Sequence, residues 1–169
     1  MSDLREQLRN CLHGRVCWMG LGNVDHADDG FGVKLAEQLS EAGIPNVLVA
    51  GTSPDRYMGA VAGKGFAHVV FLDAVEFGGA SGSAIFVNAA EIASRFPQVS
   101  THKISLALLA KWVEATGTTK AWLLGVQPKS VTRRAELTPA VATTMRALCE
   151  LLIELRTPQE TVQTAGARK

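Results

Sequence analysis

Four glycines fall within the thirteen residues Gly20-Leu-Gly-Asn-Val-Asp-His-Ala-Asp-Asp-Gly-Phe-Gly32, between an apolar run and an amphipathic one. That pattern predicts a strand, a sharp turn and a helix, with the glycines letting another chain or a metal come close. Asp28 is placed to cap the helix, its oxygen taking an orphan backbone N–H. Asp29 then falls in the first turn, where the helix dipole favours a charged carboxylate. A cap needs only one acid, so the second is a candidate for chemistry, and the turn is read as the floor of an active site.

A glycine-rich turn between strand and helix is also how phosphates are held. Here the third glycine of a dinucleotide fingerprint is replaced by Asp25, and neither the lysine nor the Ser/Thr of a P-loop follows. Paired acids would repel a phosphate. Nucleotide binding is therefore disfavoured.

The chain of 169 residues is long enough for one domain with a real core. Its formal charge of +1 supplies no field for nucleic acid or an anionic membrane, and no apolar run reaches the length of a membrane span. Cys11, Cys17 and Cys149 are odd in number and lack metal-ligand spacing. Reduced, packed thiols in a cytoplasmic protein without a signal peptide are expected.

Leu4, Leu8 and Leu12 predict a short amphipathic helix in an N-terminal extension, residues 1–14, that docks on the domain or on a second copy. The domain itself is read over 15–156. Val16 to Leu21 predicts a buried strand. Val33, Leu35, Ala36 and Leu39 then face the core from a helix ending at Gly43. Val47 to Ala50 is a second strand, leading into Gly51-Thr-Ser-Pro-Asp-Arg56 and a helix up to Gly63. Arg56 is either a solvated loop residue or an anchor for a partner's carboxylate. Ala67 to Leu72 is a third strand with Asp73 at its carboxyl end, and Gly78-Gly79-Ala-Ser-Gly82 is a loop that could cover that end. Ser83 to Asn88 predicts an antiparallel strand. Ser100-Thr101-His102 introduces a helix with Ile104, Leu108 or Leu109, and Trp112 on its apolar side. Ala121 to Val126 is the last strand, closed by Gln127-Pro128. Thr138-Pro139 caps a final helix carrying Leu137, Val141, Met145, Leu148, Leu152 and Leu155. Residues 157–169 are polar and small, and are expected to be disordered.

The alternation implies an α/β three-layer sandwich with a mostly parallel, twisted five-stranded sheet flanked by helices, whose ligands bind at the carboxyl ends of the strands. Asp29, Asp73 and His102 all belong to that edge. A buried carboxylate such as Asp73 needs a partner or a metal, although a local turn cap would also account for it. At a helix start His102 would be held neutral, able to ligate. Two oxygens and one imidazole suit a divalent transition ion with open positions. His26 is either an auxiliary ligand or a solvated loop residue, while His13 and His68 read as structural or solvated. No HExxH helix and no Gly-x-Ser-x-Gly elbow is present.

Taken in order, Gly-Leu-Gly-Asn at 20–23, Asp-Asp-Gly-Phe-Gly at 28–32, Gly-Thr-Ser-Pro-Asp at 51–55, Phe-Leu-Asp-Ala at 71–74, Ser-Thr-His-Lys-Ile-Ser-Leu at 100–106 and Gly-Val-Gln-Pro at 125–128 resemble the nickel-iron hydrogenase maturation endopeptidases. The resemblance runs from about Arg15 to Arg156, and the 51–55 loop and the Thr-His segment look most like the branch serving formate-hydrogenlyase-type hydrogenases. It implies a protease that removes a short C-terminal peptide from a nickel-loaded hydrogenase large-subunit precursor. It further implies that Asp29, Asp73 and His102 contact the nickel, that the ion belongs to the substrate, and that no cofactor is permanently bound. Relatives tend to begin at the first strand and to be more apolar or small where Asp25 and His26 stand. Two other classes remain open: a peptide hydrolase carrying its own metal, and a non-catalytic metal-sensing assembly protein.

Overall fold

Side chains alternate across the strands, and in this chain both faces of the sheet are apolar, so helices must cover both. The computed structural model describes residues 2–97 and 104–156. Their elements run α1 (Ser2–Cys11), β1 (Val16–Leu21), a 3-10 turn (Ala27–Gly30), α2 (Phe31–Glu41), β2 (Val47–Gly51), a second 3-10 stretch (Pro54–Ala60), β3 (His68–Ala74), β4 (Ala84–Asn88), α3 (Ala89–Arg95), α4 (Leu106–Glu114), β5 (Lys120–Val126) and α5 (Pro139–Arg156). The strand order is β2-β1-β3-β5-β4, parallel throughout except for β4, which pairs antiparallel with β5.

Val70 and Leu72 of β3 face α2 and α5, packing with Phe31, Leu35, Leu39, Leu148 and Leu152. Val69 and Phe71 face the other way, towards Met58, Ile92, Leu109 and Val113. The sheet is thus the middle of three layers, as expected. Segments leaving β1 and β2 cover opposite faces, because α2 lies on one side and the 54–66 stretch on the other. β1 pairs with both β2 and β3, so the carboxyl ends of β1 and β3 flank the point where the chain reverses its direction across the sheet. Ligand sites of open α/β sheets form at such points.

Helix α1 docks on its own domain: Leu8 is buried, and Arg5 pairs with Glu154 of α5 at 2.8 Å. Both charges are exposed, so the pair contributes little and the leucine fixes the helix. No helix among the described residues is long and apolar enough to cross a membrane. Cys17 and Cys149 are buried, and all three thiols are free.

Two expectations need correction, and one helix is added. Helix α4 buries Leu106, Leu109, Ala110 and Val113, whereas Leu108 and Trp112 stand exposed at 54% and 45%. The sequence allowed either leucine; the cap at Ser105, accepting from Leu108 N at 3.2 Å, sets the phase that turns Leu109 inward. The stretch after Pro54 forms a short 3-10 run rather than a helix to Gly63. Finally, α3 was not anticipated from the apolar pattern, being brief with one buried residue, Ile92. Its signal was the capping box: Asn88 accepts from Glu91 N while Glu91 accepts from Asn88 N, at 3.0 and 3.1 Å. The predicted 157–169 tail lies outside the described residues.

Candidate active site

The glycine turn is packed by the chain itself. At Gly22, φ is +122° and a Cβ would stand 1.8 Å from the Asp29 carbonyl oxygen; at Gly32 a Cβ would meet the carbonyls of Leu72 and Leu21 at 1.9 and 2.4 Å. These glycines therefore bring α2 onto the carboxyl ends of β1 and β3, which corrects the expectation that their space admits another chain or a metal. The gap is filled by backbone.

Asp29 sits in the 3-10 turn at 4% exposure. Its Oδ2 accepts the N–H of Asn23 at 3.0 Å, and Asn23 Oδ1 in turn accepts from Asp25 N at 2.9 Å. That pair of bonds folds the start of the turn back beneath the carboxylate, as asparagine side chains do. His26 precedes the 3-10 turn and is half-buried, its carbonyl accepting from Asp29 N at 3.1 Å.

Asp28 is not the helix cap. The first helical turn is 3-10, α2 begins only at Phe31, and the Gly30 position before it has no side-chain cap. The Asp28 carboxylate is fully buried and points at the segment between β5 and α5. It accepts from Lys129 N at 2.9 Å, Ser130 N at 3.0 Å and Thr138 N at 2.7 Å, and from the Thr138 hydroxyl. Burial alone would raise its pKa, but the bonds from Thr138, Lys129 and Ser130 outweigh this and hold it below the ordinary carboxylate value.

Asp73, 3% exposed, is the last but one residue of β3 and pairs in register with Gly125 of β5. Its Oδ1 accepts from Ala74 N at 2.9 Å, so the local cap weighed for it does exist. By strand alternation it shares the Phe71 face, the side covered by α4. Gly20 of β1 is level with Leu72 of β3, and the 3-10 turn of Asp29 packs against β3. Asp29 and Asp73 therefore occupy neighbouring strand ends at one edge. His102 lies outside the described residues; α4, which follows it, has its Ser105 cap on the Asp73 side of the sheet.

Arg56 is exposed on the 3-10 stretch after β2. The strand it follows meets the start of the glycine turn, since Gly22 N donates to Gly51 O at 3.0 Å. His68 accepts the Trp122 indole N–H at 3.0 Å, a structural role, and burial lowers its pKa. The loop after β3 is anchored by Gln127, whose Oε1 accepts from Phe77 N at 2.9 Å and Gly79 N at 3.2 Å. Sequence reasoning saw Gln127 only as a strand terminator. Its signal would have been an amide at a strand end where an apolar residue packs as well. A cavity of about 660 Å³ opens between α1, the start of β1 and the end of α5, lined by Arg9, Leu12, Trp18 and Leu155, at the opposite edge from the acids. Its place in the fold separates it from the strand ends where ligands of such sheets bind.

The family model described as HycI, hydrogenase maturation protease, matches residues 32–155. The hydrogenase 2 maturation protease of Escherichia coli strain K12 is 29% identical over 151 residues, covering 84% of this chain and 91% of that protein. Among solved structures, the NiFe hydrogenase maturation protease HycI from Thermococcus kodakarensis KOD1 superposes with a TM-score of 0.78 at 31% identity, covering 88% of this chain and 97% of that one. The hydrogenase maturating endopeptidase HybD from E. coli gives 0.70 at 26% identity, covering 82% and 90%.

Proposed function

Because the chain belongs to the hydrogenase maturation protease family, we propose that it is an endopeptidase that removes the C-terminal peptide of a nickel-iron hydrogenase large-subunit precursor once nickel has been inserted. The observation that carries the reading is the placement of two nearly buried carboxylates, Asp29 and Asp73, at the carboxyl ends of adjacent strands β1 and β3. Backbone N–H groups of Asn23 and Ala74 hold the two carboxylates at that edge, where their oxygens suit a divalent ion.

On this reading the nickel is part of the substrate. Precursor side chains hold it, and Asp29, Asp73 and His102 complete its coordination, so the scissile peptide is presented only when the ion is in place. An oxygen and imidazole donor set suits such an ion. The substrate's ion would polarise the scissile carbonyl or make a water more acidic; one carboxylate takes the water's proton, the water oxygen bonds to the carbonyl carbon, and the proton passes to the leaving amine as the C–N bond breaks. The partner is the loaded precursor, and the work is cytoplasmic.

The assignment is tested by substituting Asp73→Asn and His102→Ala and following cleavage of a nickel-loaded precursor. Each should slow cleavage by roughly a hundredfold or more, the scale of a lost electrostatic contact at a reacting group. Normal rates in both would overturn the site.

A further inference from the structure

Gln127 follows β5 and is 5% exposed, yet every polar atom of its side chain is engaged. Oε1 takes the N–H groups of Phe77 and Gly79, and Nε2 donates to Glu76 Oε2. Its backbone is held as well: its N–H donates to Ser83 O at 2.8 Å, and its carbonyl accepts from Gly82 N at 2.9 Å. Two and three residues further on, the N–H groups of Lys129 and Ser130 end on Asp28. Residues 127–130 are therefore a crossbar. One end holds the loop that leaves Asp73, and the other holds the turn that carries Asp29.

We infer that Gln127 is a positioning residue for the peptidase reaction, fixing the 76–79 loop so that Asp73 keeps a set geometry relative to the Asp29 turn. This rests on reading Asp29 and Asp73 as the metal-contacting acids. The chemistry of the position is narrow. It needs an acceptor for two peptide N–H groups and a donor for a carboxylate, which among uncharged side chains of this length is glutamine. An apolar residue of equal size would fill the space but leave Phe77 N and Gly79 N without their acceptor. A glutamate would keep the acceptor and set a second carboxylate against Glu76. Between the two bonded amides Gly78 turns at φ +78°, so the single amide oxygen defines the whole bend of the loop. The glycine loop is thus a fixed rim at its root.

The test compares single-turnover cleavage of a nickel-loaded precursor by wild type, Gln127→Ala, Gln127→Glu and the exchange Gln127→Glu with Glu76→Gln. Precursor affinity and amide exchange at Phe77 and Gly79 are measured alongside. The exchange variant restores one carboxylate, one amide and both acceptor bonds. Gln127→Ala and Gln127→Glu should each slow the bound-state rate by roughly tenfold or more, as expected for misplaced reacting groups, with affinity changed less and exchange at both amides accelerated. The exchange variant should recover most of the rate and the protection. An undiminished rate in Gln127→Ala, a loss confined to affinity, or an exchange variant no better than Gln127→Glu would overturn the positioning role while leaving the peptidase reading intact. A wild-type protein that cuts no loaded precursor would overturn both.

Discussion

Asp28 and Thr138 lie 110 residues apart in the chain, and the Thr138 N–H donates to Asp28 Oδ1 at 2.7 Å while its hydroxyl lies within 3.0 Å of both carboxylate oxygens. This contact closes the β5–α5 segment over the turn next to Asp29. It makes the first acid of the pair a structural brace, so that the second is the one proposed for chemistry.

Asp28→Asn should therefore destabilise the fold by about 2 kcal/mol, since an amide group would face N–H donors that now meet a carboxylate. The sign of its pH dependence follows from the depressed folded-state pKa. The stabilisation is present above the unfolded value of about 4 and is lost as pH falls through the lower folded value. Urea unfolding of the variant and the wild type should accordingly differ at neutral pH and converge in acid.

The packing at Gly32 predicts a sharp contrast between two glycines. Gly32→Ala drives a Cβ into the carbonyls of Leu72 and Leu21 and should cost roughly 3 kcal/mol or more, whereas Gly59→Ala, with nothing within 4 Å, should stay within about 0.5 kcal/mol. Equal unfolding midpoints would contradict the account of the turn.

Helix α4 provides a second contrast. Leu109→Ala empties a buried site and should cost about 2–5 kcal/mol, while Trp112→Gln on the exposed face should cost well under about 1 kcal/mol.

The thiols should sort by burial. Cys17 is fully buried and its thiol is pushed up to about 11, and burial also raises Cys149. A maleimide at about pH 8 should label only Cys11 in the folded protein, with all three reacting in denaturant, because the thiolate is the reactive form. Mass spectrometry of the labelled chain reads the outcome.

The layers of the fold were legible because strands buried on both faces spell continuous apolar runs, as Val69–Leu72 does, and because the glycine turn marks where β1 hands over to α2. Asp29 and Asp73 were placed correctly at strand ends for the same reason. The roles of Asp28 and Gln127 were not legible. Each acts through partners about 50 to 110 residues away, at Phe77, Lys129, Ser130 and Thr138, and no local pattern carries such contacts. Asp28 looked like a cap because caps are the common local use of aspartate before a helix. The phase of α4 was ambiguous because two adjacent leucines fit one apolar stripe.

The most direct measurement is the intact mass of a cognate hydrogenase large-subunit precursor after incubation with the protein, with and without nickel loaded. A defined C-terminal peptide should be lost from the nickel form alone, because in the proposed reading the substrate's ion completes the site of Asp29, Asp73 and His102. Cleavage that proceeds equally without nickel would contradict this, pointing to a hydrolase with its own metal, and a loaded precursor that binds but stays whole would contradict the peptidase reading itself.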